Sequence, residues 1–353
     1  MSTPTVIESP TRKYTVKSTL GSGDLCDIYR CVYANGGGDT DVIVKVTHDG
    51  RDNDLTTNEA AILGILRPQD EPADSKLKLY VPKLIDSFVS PAGMRVNVLA
   101  PDGGQEHEPH VSLEDVIRAY PKGVHFRDMV WMYKRLLVAI GVAHSKGIIH
   151  GAVLPPHVLV HPTGHGAKLI DWSYALNFAA LVKPKPADPK APAAKPHKAT
   201  NAWEKLLDGP EYDPDPLVRF TAPTVTTDPN AMYVRALSVP YESFYAPEVL
   251  TKKTPTPATD LYMAAKTIVV LLGGDVETNQ IPYVEAHYDV DATDPQRGRK
   301  QRDSLQSFLS LSLLQDARKR PWDAWDLHES FDRLILSLCG KPTYRPFSMP
   351  AAN

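Results

Sequence analysis

The sequence predicts an α+β fold in two lobes, the first rich in strands and the second helical. Three observations predict it. β-Branched runs separated by glycine turns fill roughly the first third of the chain. From Ser112 onward the pattern turns mainly helical, and Phe126–Ser145 carries a long apolar stripe. A chain of 353 residues, 42% hydrophobic and 23% charged, is long enough to bury a large core in one large domain or two lobes.

The elements follow in order. Residues 1–13 read as a polar lead-in. Tyr14–Leu20 and Ile28–Ala34 read as strands around a glycine turn, and Asp41–Thr47 (DVIVKVT) as a third. Thr57–Leu66 has helical spacing and stops before Pro68. Leu84–Val89 and Arg95–Leu99 complete five strands, so the β-rich lobe spans 14–99. Residues 100–111 connect it to a helical lobe, 112–337, with a tail at 338–353. Met129, Val130, Leu136, Leu137, Ile140 and Val142 supply the apolar face of the long helix. Within 183–198, KPKPADPKAPAAKPHK, five Lys, five Pro and four Ala leave too little apolar surface to fold. That tract is expected to be extended, disordered and solvated, or to tether an acidic partner.

Bulk properties exclude several classes. A net charge of −3 argues against a dedicated nucleic-acid binder. Cys26, Cys31 and Cys339 have no metal-binding spacing, and their low, odd count fits a reducing compartment without a disulfide framework. The N-terminal residues lack the apolar core of a signal peptide, and no apolar run approaches the ~20 residues that span a bilayer. A cytoplasmic protein with no membrane partner is the expectation.

Several motifs carry chemistry. Gly21 and Gly23, in LGSGDLCDIY, let a backbone approach phosphates closely. Lys45 stands inside an apolar strand, VIVKV, where a lysine is seldom free of function. Glu59 lies on the following helix, in NEAAIL. The run IIHGAVLPPHVLV, ending at Val160, precedes KLIDWS, Lys168–Ser173.

Together these motifs resemble those of protein kinases: the glycine loop, V-A-I-K, H-R-D-L-K-P-E-N and D-F-G. The resemblance covers roughly residues 14–337. It implies a bilobal protein-kinase-like α+β fold, with a β-rich N-lobe and a helical C-lobe. Gly21, Gly23, Lys45, Glu59 and Asp171 would then form the ATP site, with Lys45 on the phosphates and paired to Glu59. Asp171 would hold Mg or Mn. His157, at the metal-binding asparagine position, would be a second metal ligand or a histidine bonded within its loop. Imidazole suits softer metals better than Mg²⁺. Val96–Gly104 resembles the adenine-contacting hinge, and Ile43 replaces a small alanine and would crowd adenine. His150 is expected to be a buried structural imidazole.

The departures are chemical. Ala152 occupies the catalytic aspartate position, Leu154 that of the phosphate-contacting lysine, and Gly151 that of the arginine. The resemblance thus implies no catalytic residue at the family's positions, and an active enzyme would need a substitute base, His157 or a residue of the insert at 178–240. His150–Gly151 and Ile170–Trp172 also resemble aminoglycoside and choline phosphotransferases. Tyr245–Leu250 (YAPEVL), Asp260 and Arg320 resemble instead the A-P-E glutamate region, central-helix aspartate and late arginine of protein kinases, with a Glu248–Arg320 pair implied. Asp171 and Glu248 stand 77 positions apart, so residues 178–240 form a long insert, in which Trp203, Leu206 and Leu207 suggest a short helix. The expected function is a pseudokinase that binds a protein partner, possibly through the insert. The alternatives are an active divergent Ser/Thr-type kinase and a small-molecule phosphotransferase.

Overall fold

A computed structural model of the chain describes residues 5–72, 75–101, 110–178, 233–340 and 344–350. The Lys/Pro/Ala tract 183–198, the helix suggested around Trp203, and hinge residues 102–104 lie outside the described residues. The chain divides into two compact units, residues 1–107 with 170–175, and residues 108–169 with 176–353.

The first unit is a six-stranded antiparallel sheet with one helix. Its strands are β1 (Val6–Glu8), β2 (Lys13–Ser22), β3 (Cys26–Asn35), β4 (Gly38–Thr47), β5 (Leu84–Val89) and β6 (Arg95–Leu99), in the order β1-β2-β3-β4-β6-β5. The sequence reading expected five strands. The sixth, β1, pairs with β2, and its Ile7 enters the core. Three residues in a polar context carry no periodicity to read. Period-two alternation sends Val42 and Val44 to a core shared with Tyr14, Tyr29, Cys31, Phe88, Val96 and Val98. Each large apolar side chain buried there contributes ~1.5–3 kcal/mol. Lys45 and Thr47 take the other face.

Helix α1 (Asn53–Leu66) packs on that second face and begins four residues before the expected Thr57. A 3₁₀ turn, Gly50–Asp52, leads into it, and the Asp49 side chain caps this turn by accepting from Arg51 N–H. The polar start hides the helix from a hydrophobic pattern.

The second unit is mainly helical. The long helix is Phe126–Ser145, followed by Pro247–Leu250, Pro257–Leu271, Arg297–Ser312 and Ala324–Cys339. Gly141 shows why a glycine is tolerated inside the long helix: a Cβ there would sit 2.6 Å from the ring of Trp325. Asp323 starts the last helix by accepting from Trp325 and Asp326 N–H, at 2.7 and 3.2 Å. Gly340, at φ 69°, ends it. Short strands Val158–His161 and Gly166–Leu169 form a hairpin, extended by Val111–Ser112. Among the described residues, no helix is long and apolar enough to cross a membrane. The architecture is an α+β, bilobal, kinase-like fold, with a sheet-rich N-terminal region and a helical C-terminal region.

Candidate functional site

Strand β4 and strand β6 pair so that Lys45 lies directly opposite Asn97. Both side chains therefore project from one face of the sheet, toward α1. Glu59, one turn after Thr56 on α1, meets them there. Lys45 Nζ donates to Glu59 Oε1 at 2.7 Å and to Asp171 Oδ1 at 3.0 Å. Lys45 and Glu59 are almost wholly removed from solvent, at 7% and 1% exposure, while Asp171 is partly open. Burial pulls the Lys45 ammonium down, but the Asp171 and Glu59 charges outweigh it and hold the pKa well above 10.5.

Asp171 has φ 61° and ψ 67°, a left-handed conformation that aspartate tolerates better than most residues. Ser173 Oγ donates to its Oδ1 at 2.8 Å. Asn97, fully buried, donates to Glu59 Oε2 at 2.9 Å and to the Thr56 carbonyl at 2.8 Å. Ser173 had no site role in the sequence reading, and Asn97 fell only within the hinge range Val96–Gly104, whose first four residues the structure places in strand β6. The signal for Asn97 was present: an amide in the apolar run V-N-V-L, the same kind of interruption that marks Lys45.

The glycine turn lies at the β2–β3 junction. Gly21 is inside β2, and Gly23 N–H donates to the Cys26 carbonyl at 2.9 Å. Cys26 points inward, with Sγ 3.8 Å from Thr56 Oγ1. Burial pushes its thiol up to about 11, against the pull of the Lys45 charge, so it is un-ionised at neutral pH. Ile43 pairs with Leu99 across β4 and β6.

The loop after the long helix belongs to the second unit. His150, Ala152, Val153 and Leu154 are all fully buried. Asp260, also buried, accepts from His150 N–H at 2.8 Å and Gly151 N–H at 2.9 Å, and its carboxylate meets His144 Nε2 at 2.9 Å. His150 Nδ1 accepts from Ala152 N–H at 3.2 Å. His157 Nδ1 donates to the Ala152 carbonyl at 2.8 Å, so a neutral ring carries its lone pair on Nε2. Further along, Arg320 grips Glu248 bidentately at 2.7 and 3.1 Å, and Thr259 Oγ1 donates to the same carboxylate at 2.7 Å.

Among the described residues, no group of three or more His, Cys, Asp or Glu side chains could hold a metal ion. Asp171 is the cluster's partly open carboxylate, and its Oδ1 already accepts from Lys45 Nζ and Ser173 Oγ.

No family model matches the chain. A stretch of 48 residues, 14% of this chain and 14% of the relative, is 40% identical to casein kinase II subunit alpha' of Saccharomyces cerevisiae. A stretch of 131 residues, 37% of this chain and 36% of the relative, is 26% identical to a probable casein kinase II subunit alpha homolog of Encephalitozoon cuniculi. The matches thus span about a third or less of the length of these curated relatives. With the bilobal architecture, they give this chain a distant relationship to the kinase superfamily.

Proposed function

We propose that this chain is a pseudokinase: a kinase-like protein that binds a nucleotide weakly, transfers phosphate negligibly, and serves as a binding, scaffolding or regulatory protein. One observation carries the reading. The loop that would orient a substrate hydroxyl presents the buried methyl of Ala152 and the apolar Val153 and Leu154, while the Lys45–Glu59–Asp171 cluster is intact. Gly21 and Gly23 would let the backbone approach ATP phosphates, and Lys45 would neutralise them. Asp171 would hold one Mg or Mn ion, whose charge would offset that of the phosphates when bound. His157, ill-suited to Mg²⁺, would serve at most a softer ion.

A positioned acid–base group is worth ~10²–10⁴ in rate, and Ala152 supplies none. Ile43 would crowd adenine. Binding and catalysis should therefore come apart. The 178–240 insert, basic at 183–198, is the proposed partner-binding segment.

A radiolabelled-ATP assay on the purified chain, with Ala152→Asp beside it, tests the reading. ATP with Mg or Mn should raise the melting temperature modestly, since stabilisation scales as RT ln(1 + [L]/Kd), and Lys45→Ala should remove the shift. Turnover at ~1–100 per second that disappears in Lys45→Ala would overturn it and favour a divergent Ser/Thr-type kinase.

A further inference from the structure

Glu59 can serve a nucleotide site only while α1 stays against the sheet. In this chain two sets of hydrogen bonds, from different directions, hold it there. From the sheet, Asn97 spends one Nδ2 hydrogen on the Thr56 carbonyl and the other on Glu59 Oε2. Its own Oδ1 accepts from Ser87 Oγ at 2.6 Å, and that hydroxyl accepts from Arg95 Nη2 at 2.8 Å, so the amide cannot rotate without breaking bonds at both ends. Thr47 Oγ1 donates to the Arg95 carbonyl at 3.0 Å, which leaves Thr56 as donor in the 2.9 Å Thr47–Thr56 hydroxyl bond. Thr56 and Glu59, three residues apart, share the helix face that receives these contacts.

From the other side, Asn58 Nδ2 donates to the carbonyls of Ser173 and Ala175, at 3.1 and 2.9 Å. Ser173 in turn holds Asp171, which holds Lys45. A rotation of α1 that frees Glu59 must break the Asn97 and Asn58 contacts together. Asn97, Thr56 and Glu59 are buried, so the broken groups would have no water to replace their partners.

We infer that Asn97 and Asn58 are positioning residues that lock α1 in the arrangement that pairs Glu59 with Lys45. The pair is then preassembled, by residues of the first unit alone, rather than set by an external switch. As an account of nucleotide binding, this rests on the proposed nucleotide site. As an account of the lock, it does not.

Two measurements on the full chain test it. The first is hydrogen exchange without nucleotide. Asn97→Leu and Asn58→Ala should each speed exchange of the α1 amides by at least about tenfold, the scale of one lost hydrogen bond to a charged or buried group, and leave Phe126–Ser145 unchanged. Unchanged α1 exchange in both variants overturns the lock. The second is titration with ATP and Mg. Asn97→Leu should weaken binding roughly tenfold, but less than about threefold in a Glu59→Gln background, because Asn97 acts through Glu59. An equal loss in both backgrounds would mean a merely structural role and overturn the positioning claim. If the unsubstituted chain binds no nucleotide, the nucleotide reading fails and hydrogen exchange still decides the lock. If Asn97→Leu does not fold, Asn58→Ala carries both measurements, with the same expected and overturning results.

Discussion

The Lys45 cluster and the His150–His157 loop differ in what holds them and in what they display. In the first, every charged group has a charged partner, and buried amides and hydroxyls hold the partners in place. In the second, the backbone is held as firmly, by Asp260 on two successive N–H groups, but the side chains it displays at 152–154 are apolar. Folding needs the loop's path; only chemistry needs its side chains. Under the proposed reading the loop keeps its shape without the reactivity, while a buried lysine cannot lose its carboxylates without a large cost.

The strongest challenge to that contrast is to put the charges back. Under the proposed reading, a variant carrying Ala152→Asp, Leu154→Lys and His157→Asn should raise phosphoryl transfer by ~10²–10⁴ over the unsubstituted chain, since the loop's path is already set. A triple variant that folds, binds ATP and stays inactive would show that the loop's path has been lost as well.

Next in size is the structural pair of the second unit. Arg320→Met leaves the Glu248 carboxylate buried without its guanidinium, and chemical denaturation should show a loss of about 3–5 kcal/mol. A loss below 1 kcal/mol would mean that Thr259 alone satisfies Glu248.

Acid and base should separate the two regions. Burial, helped by Lys134 and Arg135, pulls His328 down to about 4 from 6.5. The neutral ring's stabilisation is complete above pH 6.5 and is lost as pH falls toward 4, a change on the order of 3 kcal/mol. His328→Gln should flatten the stability curve over that interval. The raised Lys45 behaves in reverse: its contribution is full below pH 10.5 and fades only above it. Mild acid should therefore loosen the helical unit first, which hydrogen exchange at pH 4.5 and pH 7 would resolve. Smallest of all, deletion of 183–198 should change stability by less than ~1 kcal/mol, because loop length costs little.

Much of this was legible in the chain. DVIVKVT announces β4, and the lysine that interrupts its apolar run is the one that Glu59 meets. What escaped did so for physical reasons. Val6–Glu8 is too short to show a period, and only its antiparallel pairing with the next strand, Ile7 opposite Tyr14, makes it a strand. Arg297–Ser312 opens with RGRKQRD and buries Leu305 and Leu309 only in its second half, so its first two turns look like a solvated coil. Asn97 visibly interrupts an apolar run, but its role is set by register: only the β4–β6 pairing places it opposite Lys45.

The left-handed backbone at Asp171 decides which reagent can interrogate that position. Asparagine shares aspartate's tolerance for this conformation, so Asp171→Asn erases one negative charge and leaves the turn undisturbed. Alanine erases the charge and also strains the turn, by ~1 kcal/mol or more. Alanine also removes the acceptor of the Lys45 and Ser173 hydrogen bonds, which an amide oxygen can keep. An alanine scan would thus report a sum of three effects at this site, whereas the near-isosteric amide mainly reads the charge. The difference between the two variants, measured without ligand, gives the backbone strain together with those two hydrogen bonds.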